Sequence, residues 1–106
     1  MMRKDYILSK IKEVVSKTAP EAEVFLYGSK ARGDEKADSD WDLLILLNSK
    51  TLTFEFEIQF INAFYDIEIE TGEIISPLIY SKADWIENHA ITPLYENVQK
   101  DGVRIK

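Results

Sequence analysis

The residues of this chain best suited to chemistry lie in one short segment between two apolar runs. Gly28 and Ser29 follow the run VFLY, and Asp40 and Asp42 come just before the run LLILL. Glycine lets the backbone approach a ligand closely, and a serine with its neighbouring amides can hold a phosphate. Aspartates at positions i and i+2 of a strand point to the same face of the sheet, where they repel each other unless a cation lies between them.

The rest of the segment favours an anionic ligand bound together with a hard cation. Lys30 and Arg32 follow Ser29 closely, and with no Cys or His nearby the carboxylates favour Mg²⁺ or Mn²⁺. A Gly-Ser pair or an Asp-x-Asp alone is most often a turn or a solvated strand end. Their combination with the basic residues predicts a site for a nucleoside triphosphate complexed with metal.

Two predicted strands position this segment. Residues Glu23–Tyr27 form a short strand that stops at Gly28, and Trp41–Leu47 form a second strand whose nearly continuous apolar run predicts burial on both faces. The second strand is therefore expected in the interior of a sheet that helices cover. Trp41 is expected to point away from its two aspartate neighbours, into the core or toward a partner.

The remaining pattern predicts an α/β (α+β) fold with a small mixed sheet flanked by helices. Apolar spacing predicts a helix over 5–17, and residues 74–80 read as a third strand in which Pro77 favours an edge position or a bulge. Pro93–Asp101 is predicted as a short helix that ends at Gly102, and 103–106 as a possible last strand.

The segment 54–70 supports two interpretations. FEFEIQF alternates as a strand does, and the residues that follow it could form a hairpin turning at Thr71 and Gly72. A helical stripe is also present, and the uninterrupted length exceeds that of a usual strand. The stripe consists of Phe54, Ile58, Ile61 and Tyr65. We favour one helix with Gly72 just past its end.

Composition excludes several classes of protein. A chain of 106 residues, 45% apolar and 30% charged, is expected to form one soluble domain over 1–106. The absence of cysteine excludes disulfides and thiolate metal sites, and no apolar run is long enough for a membrane span. A cytoplasmic location is therefore expected. The net charge of −6 disfavours a nucleic-acid partner.

The segment GSKARGDEKADSDWDLLILL resembles the signature of the minimal nucleotidyltransferases, the small branch of the DNA polymerase β-like nucleotidyltransferase superfamily. That signature is Gly-Ser, ten residues, then Asp-x-Asp and an apolar strand, which Gly28, Ser29, Asp40 and Asp42 match in spacing. The ending PLYENVQKDGVRIK is also similar to the tail common in this family, so the resemblance covers most of the chain.

The resemblance implies a Mg²⁺-dependent transfer of a nucleoside monophosphate, most simply AMP from ATP, to an acceptor. It implies that Gly28 and Ser29 hold the triphosphate and that Asp40 and Asp42 are the catalytic metal ligands. Lys30 and Arg32 are assigned supporting roles near the phosphates because they are close to Ser29 in sequence.

One position departs from the family pattern. The superfamily carries a third carboxylate on the next core strand, where this chain has Ser76. Candidate substitutes are the acidic residues that precede it: Glu73, Glu70, Glu68 and, in the hairpin interpretation, Asp66. Acidic residues near a helix end and turn are mostly solvated surface. The departure therefore leaves nucleotide and metal binding better supported than turnover.

The resemblance also implies a protein partner. Stand-alone members of this branch often act as the antitoxin of a pair with a helical HEPN-type RNase toxin, and some transfer AMP to that toxin. A protein nucleotidylyltransferase of this kind is the leading hypothesis. The alternative is a binding module of the same fold that holds a partner or a nucleotide without performing chemistry, which the missing acid favours.

Overall fold

A computed structural model describes residues 3–33, 39–48 and 53–106, and the spacer residues 34–38 of the signature lie outside this description. The described residues form helices and strands in this order: α1 (Arg3–Thr18), β1 (Glu23–Tyr27), α2 (Ser29–Arg32), β2 (Trp41–Leu47), α3 (Phe54–Thr71), β3 (Ile75–Ser81), α4 (Lys82–Asn88), α5 (Pro93–Asp101) and β4 (Val103–Arg104). The predicted α/β class is confirmed, and both strands beside the signature have the predicted bounds.

The strands of the described residues form one four-stranded mixed sheet in the order β3-β2-β1-β4. β2 is parallel to β3 and antiparallel to β1, and β4 is antiparallel to β1. The interior position predicted for β2 is confirmed, since every residue from Leu43 to Leu47 is buried. Pro77 lies in β3, an edge strand, where its missing N–H removes no bond from the interior of the sheet.

Helices cover both faces of the sheet. On one face, apolar residues of α1 and α3 such as Ile11 and Phe60 pack against Trp41 and alternate residues of β2. On the other face, Trp85 of α4 and Val98 of α5 pack against Leu44 and its neighbours. Trp41 is only 1% exposed and points into the first cluster, away from the Asp42 face, as predicted.

The ambiguous segment is a single helix, α3, so the helix interpretation is confirmed and the hairpin is excluded. Thr53 caps its start by accepting a hydrogen bond from the Phe56 amide at 3.1 Å, and the helix ends at Gly72. Phe60, Phe64 and Ile67 form its buried face at helical spacing. The burial of one face of a helix, and not the alternation of FEFEIQF, therefore determines the structure of this segment.

The helix α4 was not predicted from the sequence. It begins directly after β3, with the Ser81 hydroxyl accepting a hydrogen bond from the Asp84 amide at 3.1 Å. Its seven residues give too few turns for a clear apolar period. The available signal was the spacing of Ser81 and Asp84, which is typical of a capped helix start.

None of the helices built from the described residues combines the length and the apolar character that a membrane crossing needs.

Candidate functional site

Gly28 joins β1 to α2 in a conformation that only glycine adopts readily. Its backbone angles are φ 75° and ψ −158°. A Cβ atom added at this position would lie 2.4 Å from Oδ2 of Asp42. Glycine is therefore required here both by the backbone angles and by the close approach of the Asp42 carboxylate.

The chain directly after Gly28 forms one helical turn, α2. The Ala31 and Arg32 amides both donate to the Gly28 carbonyl at 3.1 Å, which fixes the turn directly after the strand. A helix leaves its first amides without acceptors inside the helix, and in α2 these amides include those of Ser29 and Lys30. The turn begins at Gly28, next to the Asp42 carboxylate, and its first amides are available to an anion by the general rule for helix starts.

Asp42 faces the α4–α5 side of the sheet and carries a destabilised negative charge. Burial, and then the neighbouring Asp40 carboxylate, raise the pKa of Asp42 above its usual value, while Arg32 opposes them. Removal from water and a like charge both disfavour the ionised carboxyl group. A bound cation would stabilise the ionised carboxylate against both effects, so this arrangement suits a cation site.

Ser76 completes the Asp40 side of the site. In the parallel pairing of β2 and β3, Ser76 is the register partner of Asp42. Its hydroxyl donates a hydrogen bond of 3.0 Å to Oδ2 of Asp40. The residue that replaces the expected third acid therefore lies against the aspartate pair, and it contributes a neutral donor in place of a charge.

The two basic residues of the signature lie in different surroundings. Arg32 is partly exposed, lies 3.9 Å from Oδ2 of Asp101 at the end of α5, and is close enough to Asp42 to oppose its pKa shift. Lys30 is buried, with its ammonium 4.7 Å from the centre of the Trp41 ring and 3.8 Å from Oε1 of Glu73. The structure thus brings Arg32 to the aspartates and the Lys30 ammonium to the Trp41 side.

The candidate substitutes for the third acid have partners of their own. Glu73 accepts a hydrogen bond from the Trp41 ring nitrogen at 3.2 Å, in addition to its ion pair with Lys30. Glu70 accepts from the Tyr6 hydroxyl and lies 3.7 Å from the Lys10 ammonium.

Glu68, in turn, accepts from the Ile75 amide at 3.0 Å. Over 3–33, 39–48 and 53–106, no three acidic, His or Cys side chains are grouped to hold a metal. The structure therefore does not bring Glu68, Glu70 or Glu73 together with the aspartate pair.

Tyr27 is a site neighbour that the sequence analysis missed. It is the register partner of Asp42 in β1, on the same face of the sheet. Burial, together with Asp42 and Tyr80, raises the pKa of Tyr27 to about 12, so the phenol stays neutral at physiological pH. The available signal was strand pairing, because an antiparallel connection from Tyr27 back to Asp42 makes them neighbours across the strands.

The donor set fits a hard divalent cation. Asp40 and Asp42 offer carboxylate oxygens, and the pKa of Asp42 is raised in the way expected where a compensating positive charge is lacking. Oxygen ligands without sulfur or imidazole suit Mg²⁺ or Mn²⁺. With two carboxylates, the site fits a metal that takes its remaining ligands from water and from phosphate oxygens.

Removing the Asp42 charge is expected to stabilise the metal-free protein. We expect Asp42→Asn to raise the melting temperature at neutral pH by about 2–4 °C, a modest gain because solvent screens the two partly exposed carboxylates. Because the folded pKa of Asp42 is raised, its stabilising contribution is present at low pH and is lost as the pH rises through that pKa.

The difference between Asp42→Asn and the wild type should therefore shrink when the pH falls below the usual aspartate range. Thermal unfolding followed by circular dichroism, without divalent metal, measures it at both pH values. A variant that melts below the wild type at neutral pH would show that the Asp42 charge is not destabilising.

Comparison with known proteins agrees with the fold and the signature. The family model described as a nucleotidyltransferase domain matches residues 8–99, which is most of the chain. No curated protein matches the chain in sequence.

Solved structures with the same fold include toxin–antitoxin crystal structures. One, described as a toxin–antitoxin with AMP-PNP, aligns at a TM-score of 0.67 and 15% identity, covering 93% of this chain and 72% of that chain. A second, of the toxin–antitoxin MntA–HpeT with two Asp-to-Glu substitutions, aligns at 0.66 and 14% identity over 93% of this chain and 72% of that chain. At these identities the likeness shows the fold alone.

Proposed function

Because the chain belongs to the nucleotidyltransferase domain family, we propose that it transfers AMP from Mg²⁺-complexed ATP to a hydroxyl group of a protein acceptor. The observation that carries this proposal is the packing of Gly28 against Asp42, where a Cβ would lie 2.4 Å from the carboxylate. This contact fixes the Gly-Ser turn beside the aspartate pair. A phosphate chain held by the turn therefore lies next to the metal ligands.

In the proposed site, the backbone of Gly28 and Ser29 holds the triphosphate, and Asp40 and Asp42 hold the Mg²⁺ or Mn²⁺. When bound, the metal would neutralise phosphate charge and lower the pKa of the attacking hydroxyl. Arg32 adds positive charge on the side of Asp42. The buried Lys30 supports the site indirectly, by its contact with Trp41 between the two aspartates.

The reaction is a substitution at the α-phosphorus of ATP. The acceptor oxygen forms a bond to that phosphorus, the bond to the bridging oxygen breaks, and pyrophosphate leaves with the bonding electron pair. The acceptor hydroxyl releases its proton to water. The contribution of the chain is to position the donor and to stabilise charge, as is usual for reactions at phosphorus.

We further propose that the acceptor belongs to a helical HEPN-type toxin, for which this protein serves as the antitoxin. The support is the fold shared with toxin–antitoxin structures, one of them described with AMP-PNP. The acidic net charge of −6 also disfavours a nucleic-acid acceptor. Transfer to a co-purified toxin would appear as a mass increase of one AMP.

Calorimetric titration of ATP with and without Mg²⁺ tests the nucleotide site. We expect Mg²⁺-dependent binding to the wild type and a loss of at least about 100-fold in affinity in the Asp40→Ala, Asp42→Ala variant, because both proposed metal ligands are removed.

The matched control for this titration is Glu55→Ala, Asp66→Ala, which removes two exposed carboxylates from α3 in the other layer and should bind like the wild type. If the wild type gives no heat of binding with ATP or with the other triphosphates, the proposal is contradicted.

The second candidate function is a binding module that holds its partner without chemistry. The observation that favours it is Ser76, a neutral side chain hydrogen-bonded to Asp40 where the superfamily has an acid. Tight partner binding that survives loss of both aspartates, with no mass change in the partner, would decide for this candidate.

A further inference from the structure

The outer face of α3 exposes a continuous line of large apolar side chains, which we call the apolar stripe. Its members recur at three- and four-residue steps along the helix: Phe54, Ile58, Ile61, Tyr65 and Ile69. Ile58 is half-buried, and the other four are exposed. Tyr65 is 57% exposed and Ile69 68% exposed, although both are of a size that usually packs in a core. Contiguous apolar surface of this kind on a soluble domain marks an interaction site.

Acidic residues border the apolar stripe on both sides. Helical spacing places Glu57 and Glu68 along the side toward β3 and three acids along the side toward α1: Glu55, Asp66 and Glu70. The sequence of α3 contains no lysine or arginine. A partner that covers the stripe must therefore bring apolar side chains flanked by positive charge.

The charges also indicate which occupant the stripe fits. A second copy that paired through its own α3 would place acidic residues opposite acidic residues, and like charges at an interface disfavour association. A basic amphipathic helix would instead place lysines or arginines beside Glu57 on one border and Glu55 and Asp66 on the other. Glu70 keeps its ion pair with Lys10. Its apolar face would cover the stripe in the helix-against-groove manner of peptide recognition.

The stripe continues toward the candidate site. Ile61 and Tyr65 line a groove of about 310 Å³ whose other wall includes Ile75 and Pro77 of β3. Between these two residues in β3 is Ser76, whose hydroxyl bonds Asp40. The same edge strand therefore forms the wall of the groove and one side of the aspartate site.

We propose that the apolar stripe is the docking surface for a basic amphipathic helix of the protein acceptor. This inference rests on the proposed function, since it takes the partner to be the protein that receives AMP. The α3–β3 groove lies on the opposite face of the sheet from Asp42, because Ile75 and Pro77 alternate with Ser76 along β3. Docking there holds the partner against the edge strand that carries Ser76, so the acceptor hydroxyl reaches the aspartates around that edge.

The test uses a synthetic helix with leucine on one face and lysine on the other, of the same length as α3, 18 residues. It is titrated into isotope-labelled full-length protein without nucleotide, and amide chemical shifts are recorded. We expect saturable shifts confined to α3 and β3, with binding weakened by added salt. A counterpart peptide with glutamate in place of lysine should not bind.

Two variants distinguish binding at the apolar stripe from non-specific hydrophobic binding. Ile61→Ser, Tyr65→Ser removes the middle of the stripe and should weaken binding of the peptide at least about tenfold. The matched control is Ile86→Ser, Ile91→Ser, which removes two exposed apolar side chains outside α3, 52% and 96% exposed, and should bind as the wild type does.

Three results would overturn the inference. These are shifts centred on α4 and α5, a stripe variant that binds with unchanged affinity, or a wild-type dimer in sedimentation that the stripe variant converts to monomer. The Asp40→Ala, Asp42→Ala variant should bind the peptide unchanged, so failure of docking and failure of the nucleotide site are separate results.

Discussion

Replacing Gly28 by alanine is expected to weaken nucleotide binding strongly and to destabilise the fold. The added Cβ would lie 2.4 Å from Oδ2 of Asp42, so either the carboxylate or the Gly-Ser turn must move. The backbone angles of Gly28 add strain of about 1–3 kcal/mol for a residue with a side chain. We expect the affinity for Mg²⁺-ATP to fall at least about 100-fold in a calorimetric titration.

Gly33 provides the matched control for this substitution. It also has a positive φ, 82°, but a Cβ added there would meet no heavy atom of the described residues within 4 Å. Gly33→Ala should therefore lose stability of about 1 kcal/mol in urea unfolding while its affinity for nucleotide changes little.

Combining Gly28→Ala with Asp42→Ala shows how much of the loss of stability comes from the steric contact and how much from the backbone strain. Removing the carboxylate relieves the contact, so the two substitutions should destabilise less together than the sum of their separate effects. If Gly28→Ala binds nucleotide as Gly33→Ala does, the contact with Asp42 is not what shapes the site.

Restoring an acid at position 76 is expected to increase turnover. Ser76 is the register partner of Asp42 and contacts Asp40, so Ser76→Asp adds a third carboxylate to the same group of oxygens. We expect the affinity for Mg²⁺ and the rate of AMP transfer to rise about 10- to 100-fold. Without metal, a third like charge should destabilise the fold by about 1–2 kcal/mol.

Ser76→Asn is the control for this second prediction, because it has nearly the size of aspartate without the charge. It should give no gain in metal affinity or in transfer, measured by isothermal titration and by mass spectrometry of the acceptor. If Ser76→Asp behaves as Ser76→Asn does, a third acid is not what limits this site.

Much of the fold could be predicted because the strongest patterns are local. The run LLILL predicts an interior strand, since only a strand covered on both faces buries every residue from Leu43 to Leu47. Thr92 and Pro93 mark the start of α5 through their own backbone preferences. The Gly-Ser pair likewise predicts the turn at the end of β1, and the Asp-x-Asp motif predicts the carboxylates at the start of β2.

The parts that were missed depend on tertiary contacts. The closeness of Lys30 to Ser29 in sequence predicts a place near phosphates, and this stays a prediction, but the contacts of its ammonium with Trp41 and with the distant Glu73 could not be predicted. Tyr27 is a site neighbour only through strand pairing with Asp42. Sequence spacing fixes which residues are near in the chain, whereas side-chain direction depends on the packing of the layers.

The order of strands β1, β2 and β3 also has a consequence for how the site assembles during folding. Gly28 directly follows β1 and Asp42 lies in β2, an antiparallel pair whose connection, residues 28–40, is much shorter in sequence than the path to β3 and so costs less chain entropy to close. Ser76 is 36 positions from Asp40 and reaches it only after α3 has crossed over to bring β3 alongside β2. Long-range parallel pairing is slow to form. The Gly-Ser turn and the aspartates can therefore come together in a nascent hairpin, while the serine contact belongs to the last stage of folding.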